Sequence, residues 1–345
     1  MAIKYSPTQS IVSSGMREAR RFHTGRIMKY QPADLSKIKT YSVSRRAHKF
    51  DAQQAAGLPP RGAKFADWWD SLPPYLGAKA LKALATAIVE ARRADRPVVA
   101  ALGAHVVKVG CSPIVCDLIE RGMITAVAMN GATAIHDIET ALFGETSEEV
   151  SDTINDGTFG MVQETPAFFA EALSPKASTD AGLGAALGAH LVKTAPPHGQ
   201  LSILAAAHRA AIPAAVIVAI GTDTIHMHPA IAKSDLLQRS ESDFRLTCTV
   251  VADMAPGKSG SPAGVWCNIG SAVVLPEVFL KAVAVARNLG ANLDDISTAN
   301  LDMIRHYRPS ENVVGRPVKK GRGHHITGHH EILLPLLRQA IIEMM

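Results

Sequence analysis

The sequence predicts an α/β protein with one doubly wound, mostly parallel sheet and an irregular, basic N-terminal arm. Two patterns predict this class. Apolar segments of strand length alternate three times with longer segments of helical periodicity, which is the order of βαβ units. The apolar segments are continuous, as is typical of parallel strands that helices cover on both faces. Three such units favour a single domain, which we place at residues 76–345, after an arm at residues 1–75.

The arm is predicted because residues 1–75 are polar and basic, show no sustained periodicity and contain the proline pairs of LPPRG and LPPYLG. The net charge of the chain is +5, and its basic residues concentrate at the two ends. Aromatic residues make up only 5% of the chain, and no nucleic-acid recognition motif is present. We therefore expect the basic ends to meet anionic groups or a neighbouring subunit rather than nucleic acid.

The first βαβ unit occupies residues 78–132. A helix is predicted over 78–94 from apolar residues at helical spacing, and a buried strand over 96–104. A second helix is predicted from Ser112, which is expected to be its N-cap. A second continuous apolar strand follows over 124–132.

The second unit begins with a repeated phrase. ALGAHVVKVG starts at Ala101, in the first predicted strand, and ALGAHLVKTA starts at Ala186. We interpret the two copies as equivalent strands of one sheet, so residues 188–195 are predicted to form a strand. A helix over 199–211 and a strand over 212–223 complete the unit.

The third unit consists of a strand over 264–271, a helix over 275–290 and a strand over 294–302. Polar residues and glycines follow the predicted strands. Because open parallel sheets bind ligands at the carboxyl ends of their strands, a ligand site is expected there. Neither a G-x-G-x-x-G fingerprint nor a phosphate-binding P-loop is present.

Composition limits the class of protein. The 345 residues are 47% hydrophobic, as in an ordinary globular protein. The four cysteines form no C-x-x-C pair, so no disulfide framework is expected. No apolar run approaches the ~20 residues of a membrane-spanning helix, and Lys4 and Arg17 interrupt any leader-like stretch. We therefore expect a soluble, cytoplasmic protein without a membrane partner.

Four motifs at the predicted strand ends occur together in a known family. NGATAIHDIETALFGETSEEV follows the second strand, GTD and STAN lie at later strands, and RPSENVV lies downstream. In these motifs the chain resembles deoxyhypusine synthase, and NGATAIHDIETALFG is similar to the ornithine cyclodeaminase domain of arginine-dihydrolase-type enzymes. The resemblance covers roughly residues 97–330 and implies a Rossmann-type fold, NAD as cofactor and a homo-oligomer, either a homotetramer or a dimer.

Both families begin by moving a hydride from an amine-bearing carbon to NAD, which leaves an imine. The resemblance therefore implies an NAD-dependent enzyme of amine metabolism, of transferase, oxidoreductase or cyclodeaminase type, that oxidises a carbon–nitrogen bond of an amine or amino acid. Group transfer or cyclisation would follow. The implied cofactor-binding residues are Asn130, Gly131, Ala132, Asp223, Thr298 and Ala299. In this assignment Asn130 begins a backbone wall for the nucleotide, Asp223 accepts hydrogen bonds from a ribose, and Thr298 belongs to a cofactor-facing turn.

Six residues are candidates to act on the substrate: His136, Asp137, His228, Lys319, Lys320 and His325. Asp137, with Glu139, offers a carboxylate near the reacting centre. This chain has His136 and His228 at the positions where the synthase has acids that hold a polyamine. At the position of the synthase's nucleophilic lysine it has Pro317, beside Lys319 and Lys320. Because a buried ammonium needs carboxylate partners, we expect a substrate less cationic than spermidine, with a carboxylate of its own.

The histidines form two clusters, one at His226 and His228 and one over residues 324–330. Neutral imidazole is a common metal ligand, yet no established metal spacing such as H-E-x-x-H is present. Acid–base or anion-binding roles and a solvated, glycine-rich loop are the other interpretations. The alternatives to an NAD enzyme are thus a histidine-metal lyase or hydrolase and a non-catalytic nucleotide-binding scaffold.

Overall fold

The computed structural model describes residues 30–173, 182–257 and 260–345. Its strands are β1 (Val98–Leu102), β2 (Ala126–Asn130), β3 (Ala214–Ile217), β4 (Val265–Ile269), β5 (Ser297–Asp302) and β6 (Gly323–Thr327). They form one sheet in the order β3–β2–β1–β4–β5–β6, and every pair of neighbours is parallel. The predicted fold class, a doubly wound parallel α/β sheet, is confirmed. The strand order changes direction between β1 and β4, which is where such sheets open a crevice for ligands.

Helices lie on both faces of this sheet. The α-helices of the described ranges are α1 (Phe65–Ser71), α2 (Leu76–Arg93), α3 (His105–Lys108), α4 (Ser112–Glu120), α5 (Gly131–Phe143), α6 (Val150–Thr153), α7 (Glu164–Ala172), α8 (Leu183–Thr194), α9 (Ile203–Arg209), α10 (Leu236–Asp253), α11 (Val274–Asn288), α12 (Tyr307–Pro309) and α13 (His330–Met344). Short 3₁₀ turns occur at Leu35–Lys37, Val43–Arg45, Ala52–Gln54, Gly199–Leu201 and Ile225–Met227, and a π-helix at Ser310–Gly315. No helix in these ranges is both long and apolar enough to cross a lipid bilayer.

The sheet separates two hydrophobic cores. Successive residues of β1 point to opposite faces, as the period of a strand requires, and all of them are buried. Val98 and Leu102 belong to the core under α2, α4, α9 and α13, and Val99 belongs to the core under α10 and α11. In the second core Trp266 of β4 stacks on Phe279 of α11, with ring centroids 4.4 Å apart. Two covered faces explain why β1 is continuously apolar.

The repeated phrase does not form equivalent strands. Its first copy contains the end of β1 and all of α3, whereas its second copy lies in α8 and the cap that follows. A Cβ atom on Gly188 would lie 2.8 Å from the carbonyl oxygen of Leu204, so the glycine lets α8 pack closely on α9. The prediction of a strand over 188–195 is wrong, because a short apolar segment of small residues suits a buried helix as well as a buried strand.

Several elements, among them α5, α10, β6 and α13, have no counterpart in the sequence prediction. Residues 323–327, interpreted as part of a histidine-rich loop, form the edge strand β6 and pair with β5. Within β6 only Ile326 is fully buried, so the strand lacks the continuous burial of the neighbouring β5. The N-cap of α4 is Cys111 rather than Ser112, a difference of one residue at the helix boundary.

Residues 30–52 belong to a different unit from the compact unit Gln53–Met345. Their side chains are exposed, and their local structure consists of 3₁₀ turns capped by Asp34 and Ser42. In the compact unit, α1 buries Trp69 in the core under α2. Part of the segment predicted as an arm is therefore built into the compact unit, because its aromatic residues supply apolar surface.

Candidate active site

A cleft of about 1070 Å³ opens at the carboxyl ends of β1, β2 and β3. Its walls are α3, one face of α5, the segment 144–165 and the loop after β3 that contains Asp223. Ligand pockets in proteins typically measure roughly 300–1,000 Å³, so this cleft has the size of a small-molecule or cofactor site. It lies at the edge of the sheet where the sequence predicts a ligand site.

The helix α5 begins at this cleft with an N-cap and two small residues. The side chain of Asn130 accepts a hydrogen bond from the N–H of Thr133 at 2.9 Å, which satisfies one of the free donors at the helix N-terminus. Gly131 and Ala132 form the start of the helix, and Ala132 lines the cleft. The three residues assigned to a nucleotide wall thus lie together at the N-terminal end of a 13-residue helix.

The loop after β3 brings Asp223 against the start of this helix. A Cβ atom on Gly131 would lie 2.2 Å from Oδ2 of Asp223, so only glycine permits the contact. Oδ2 accepts the N–H of Ala219 at 2.9 Å, and Oδ1 lies 3.2 Å from Nδ1 of His226. Nε2 of His226 accepts the N–H of Gly221, so the proton of the ring is on Nδ1 and is donated to the carboxylate. Asp223 therefore organises its loop as well as lining the cleft.

One turn further along α5, His136 is the centre of a hydrogen-bonded network. Its Nδ1 lies 2.6 Å from Oγ1 of Thr146, whose hydroxyl donates to Oε2 of Glu139 at 2.5 Å. The hydroxyl of Thr165 donates to the other oxygen of Glu139 at 3.0 Å. Burial acts to raise the pKa of Glu139, but the neighbouring His136 and the hydrogen bonds from two threonines outweigh it and lower that pKa. The carboxylate is thus held ionised beside the imidazole.

Thr146 reaches this network because α5 ends just before it. Gly144 caps the helix in the left-handed conformation, with φ of +75°, and its N–H donates to the carbonyl of Thr140. The chain then turns back so that Thr146 lies beside His136 and Glu139. Thr146 is not among the site residues predicted from the sequence. The sequence pattern that indicates it is a glycine that ends a helix in which histidine and glutamate are three residues apart.

A second glutamate and His228 hold the opposite wall of the cleft. Oε1 of Glu148 accepts the N–H of Gly160 at 2.8 Å, and Nε2 of His228 donates to the carbonyl of the same glycine at 2.9 Å. Gly160 and Glu148 both line the cleft. His228 therefore contacts the site through the backbone of the wall.

Asp137 does not face the cleft, which corrects its assignment as a residue that acts on the substrate. It is fully buried and accepts hydrogen bonds from the hydroxyl of Ser202 at 2.6 Å and from the N–H groups of Ile203 and Leu204 at 2.7 and 3.2 Å. Burial raises the pKa of Asp137 to about 6, although these hydrogen bonds oppose the shift. The carboxylate satisfies the N-terminal donors of α9 and has a structural role.

Lys319 and Lys320 lie at the amino ends of the strands, on the side of the sheet opposite the cleft. Their assignment to the substrate is therefore corrected. They precede β6, so they are at the amino ends of the strands, whereas the cleft is at the carboxyl ends. Nζ of Lys319 pairs with Asp294 at 3.3 Å and with Asp295 at 3.5 Å, and its side chain is largely exposed. Lys319 therefore forms surface ion pairs with the two aspartates that precede β5.

The other predicted residues of this half of the chain lie inside strands. Thr298 and Ala299 are fully buried in β5, where the hydroxyl of Thr298 donates to the carbonyl of Val313 at 2.7 Å. His325 lies in β6 opposite Asn300. The interpretation of STAN as a cofactor-facing turn is therefore corrected to a strand interior, and His325 is separated from the cleft by the width of the sheet.

The two histidine clusters do not meet. His226 and His228 follow β3 and the others lie in or after β6, and these strands are the opposite edges of the sheet. His330 lies beside His105, with ring centroids 5.5 Å apart, and contacts the carbonyl of Leu301. Burial lowers the pKa of His330. Within the described ranges no three His, Cys, Asp or Glu side chains are arranged to hold a metal ion.

Comparison with known proteins supports the fold and one segment of the site. Residues 82–159 match the family model of the arginine dihydrolase ArgZ-like C-terminal domain with a Rossmann fold. This segment includes β1, β2 and α5, and so His136, Glu139 and Thr146. No curated protein matches the chain in sequence.

Solved structures share the fold at low sequence identity. A conserved putative LOR/SDH protein from Methanococcus maripaludis S2 superposes with a TM-score of 0.50 and 14% identity, over 78% of this chain and 71% of that one. Unliganded AgrE superposes with a TM-score of 0.50 and 15% identity, over 77% of this chain and 33% of AgrE. The chain therefore spans about a third of the length of AgrE.

Two further structures extend the set of similar proteins. The ternary complex of AgrE with ornithine and NAD+ superposes with a TM-score of 0.48 and 13% identity, over 77% of this chain and 33% of that one. A putative deoxyhypusine synthase from Entamoeba histolytica gives a TM-score of 0.48 and 9% identity, over 82% and 94% of the two chains. The resemblance predicted from the sequence is confirmed as one of fold, and over residues 82–159 as a match to a family model.

Proposed function

We propose that the chain is an NAD-dependent enzyme that oxidises a carbon–nitrogen bond of an amine or amino acid to an imine. The observation that carries the proposal is that one cleft is lined by Ala132 in the first turn of α5, by the adjacent Asp223 and by His136 one turn further along the helix. The family model over residues 82–159, and the NAD+ and ornithine that AgrE binds, support this choice of cofactor and substrate class.

The residues at the start of α5 fit the requirements of NAD. The positive end of the helix suits a diphosphate, and Ala132 at its second position presents only a methyl group to the cleft. The carboxylate of Asp223 uses two of its about four lone pairs within its own loop, and the others suit ribose hydroxyls. NAD, when bound, supplies the acceptor for the hydride of the amine-bearing carbon.

His136 is the residue that we assign to proton transfer. A protonated amine has no lone pair with which to form an imine, so its proton must be removed by a base within reach. Histidine suits this role near neutral pH. Because Nδ1 of His136 is bonded to Thr146, Nε2 is the ring nitrogen that serves the substrate.

The charges of the cleft favour a substrate with an ammonium group. Glu145 and Glu148 line it together with Glu139, and Lys108 lies on the wall formed by α3. The glutamates suit an ammonium, and Lys108 suits a carboxylate such as that of an amino acid. Lys319 is at the amino ends of the strands, away from the cleft, so we do not propose a transfer of the substrate to that lysine.

Substitution of Ala132 by glutamate tests the cofactor site. The added carboxylate would extend into the cleft from the second residue of α5, where it would meet the diphosphate and the ribose carboxylate Asp223. We expect the Kd of NAD+ to rise by about 100-fold, which corresponds to about 2.7 kcal/mol. Titration calorimetry with NAD+ measures it. The variant should fold, because an acidic side chain in the first turn of a helix is favourable.

Ala284→Glu is the matched control, since Ala284 is exposed in the middle of α11 on the other side of the sheet. Its affinity for NAD+ should equal that of the unmodified chain. Equal affinities for all three proteins would show that NAD+ does not occupy the start of α5. Absence of binding to the unmodified chain would overturn the proposed function itself.

A further inference from the structure

We propose that Thr146 and Glu139 are positioning residues that fix the neutral imidazole of His136 in one tautomer, with the proton on Nδ1 and the lone pair on Nε2. The use of that lone pair as a base rests on the proposed function. The tautomer itself rests only on the hydrogen bonds of the described residues, so it can be tested without cofactor or substrate.

The proton assignment follows from counting donors. The hydroxyl of Thr146 has one hydrogen, and the ionised carboxylate of Glu139, 2.5 Å away, can only accept it. The oxygen of Thr146 must therefore accept from its other neighbour, Nδ1 of His136 at 2.6 Å. A chain of donors runs from the imidazole N–H through the hydroxyl to the carboxylate.

Burial makes the arrangement stable. The side chains of His136 and Glu139 are 16% and 14% exposed, so water competes little for these groups. In the other tautomer, the lone pair of Nδ1 would face the lone pairs of the Thr146 oxygen, or the hydroxyl would have to abandon Glu139. Either change leaves a largely buried polar group without its partner, which is unfavourable. Thr165 donates to the second oxygen of Glu139 and holds the carboxylate in place.

The arrangement suits removal of a proton from the substrate. An N–H bond of the ammonium breaks, the nitrogen keeps the electron pair, and the proton binds to the lone pair of Nε2. The imidazole becomes an imidazolium that keeps its Nδ1–H bond to Thr146. The carboxylate of Glu139, whose Oε2 lies 3.6 Å from Nδ1 of His136, stabilises the positive charge and does not itself take the proton.

Nitrogen NMR of the full chain labelled in its fourteen histidines tests the tautomer. The His136 signals are those that disappear in the His136→Gln variant. We expect Nδ1 protonated and Nε2 unprotonated at a pH at which the ring is neutral. Thr146→Val removes the hydroxyl at nearly constant volume, so the proton should shift to Nε2 in part or in full. Thr146→Ser keeps the hydroxyl and should keep the tautomer.

Thr249→Val is the matched control, because the hydroxyl of Thr249 is exposed on α10 and bonds only to the carbonyl of Arg245. Its His136 signals should equal those of the unmodified chain. A proton on Nε2 in the unmodified chain would overturn the proposal even if the valine variant did not fold. An unchanged tautomer in folded Thr146→Val would also overturn it.

Kinetics separate this proposal from the proposed function. If the chain oxidises an amine with NAD, Thr146→Val should lower kcat by about 10–100-fold with little change in KM, and Thr146→Ser should restore it. If NAD+ does not bind, the proposed function fails while the tautomer measurement still stands. If oxidation occurs and kcat is unchanged in the valine variant, the positioning role fails and the function stands.

Discussion

Replacement of Asp137 by alanine is expected to lower the free energy of unfolding by about 3–5 kcal/mol, because three buried donors lose their acceptor at about 1–3 kcal/mol each. These donors are the Ser202 hydroxyl and the N–H groups of Ile203 and Leu204, all at the start of α9. A fully buried carboxylate cannot be replaced there by solvent without opening the contact between α5 and α9. Urea unfolding followed by circular dichroism measures the change.

Asp70→Ala is the matched control, since Asp70 is exposed on α1. It should change the free energy of unfolding by less than about 0.5 kcal/mol, as is usual for a surface position. A loss below about 1 kcal/mol for the Asp137 variant would show that the donors of α9 find other acceptors and that the carboxylate is not structural. In that case its assignment to the substrate would have to be reconsidered.

The pH dependence of the same variant provides an independent check. Burial raises the pKa of Asp137 from 3.8 to about 6, so its stabilising contribution is complete below pH 3.8 and is lost as the pH rises through 6. The loss is roughly 2–3 kcal/mol. The deficit of Asp137→Ala should therefore be larger at pH 4 than at pH 7. Asp243, whose pKa burial raises to about 7, acts in the same direction in both proteins and cancels in the difference.

Replacement of His136 by glutamine is expected to lower kcat for amine oxidation by about 100- to 10,000-fold, the usual contribution of a general base. Glutamine can occupy the space and donate to Thr146, but it cannot take a proton near neutral pH. The Kd of NAD+ should stay within about threefold, because His136 is one turn away from the helix N-terminus that we assign to the cofactor. Absorbance of reduced nicotinamide, with ornithine or a diamine as substrate, measures the rate.

His208→Gln is the control for that experiment, because His208 is exposed on α9. It should leave kcat unchanged. A His136→Gln variant with full activity would exclude His136 as the base, and would make the neighbouring glutamates the residues to test next. Binding of NAD+ without turnover of any amine in the unmodified chain would instead favour a nucleotide-binding scaffold.

Much of the fold was accessible from the sequence, because burial on both faces marks the central strands. β1 and β2 are largely apolar, β4 and β5 are buried along their whole length although they contain polar residues, and the pattern predicts each of them. Two of the failures of the pattern have opposite reasons. The α8 segment is as apolar as a strand but packs as a helix through its glycines, whereas β6 is a strand with a single fully buried residue.

The candidate site could be predicted in part. The motif after β2 leads to the cleft, yet adjacent residues of it have unrelated roles because the segment is a helix. His136, Glu139 and Phe143 follow the spacing of one helical face and line the cleft, while Asp137 is turned about 100° away into the core. A prediction of α5 as a helix would have placed Asp137 and Glu139 on different faces. Lys319 could likewise have been excluded once β6 was assigned, since residues before a parallel strand lie at the amino edge.

The left-handed cap at Gly144 links the length of α5 to the chemistry we propose. A Cβ atom there would lie 2.8 Å from Nε2 of His198, and φ of +75° disfavours every residue with a side chain. If the helix continued for another turn, Thr146 would be carried away from its partners. If every residue were tried at position 144, turnover should be as sensitive to substitution there as at the residues that move the proton. Glycine has no functional group. It contributes the point at which the polypeptide reverses direction.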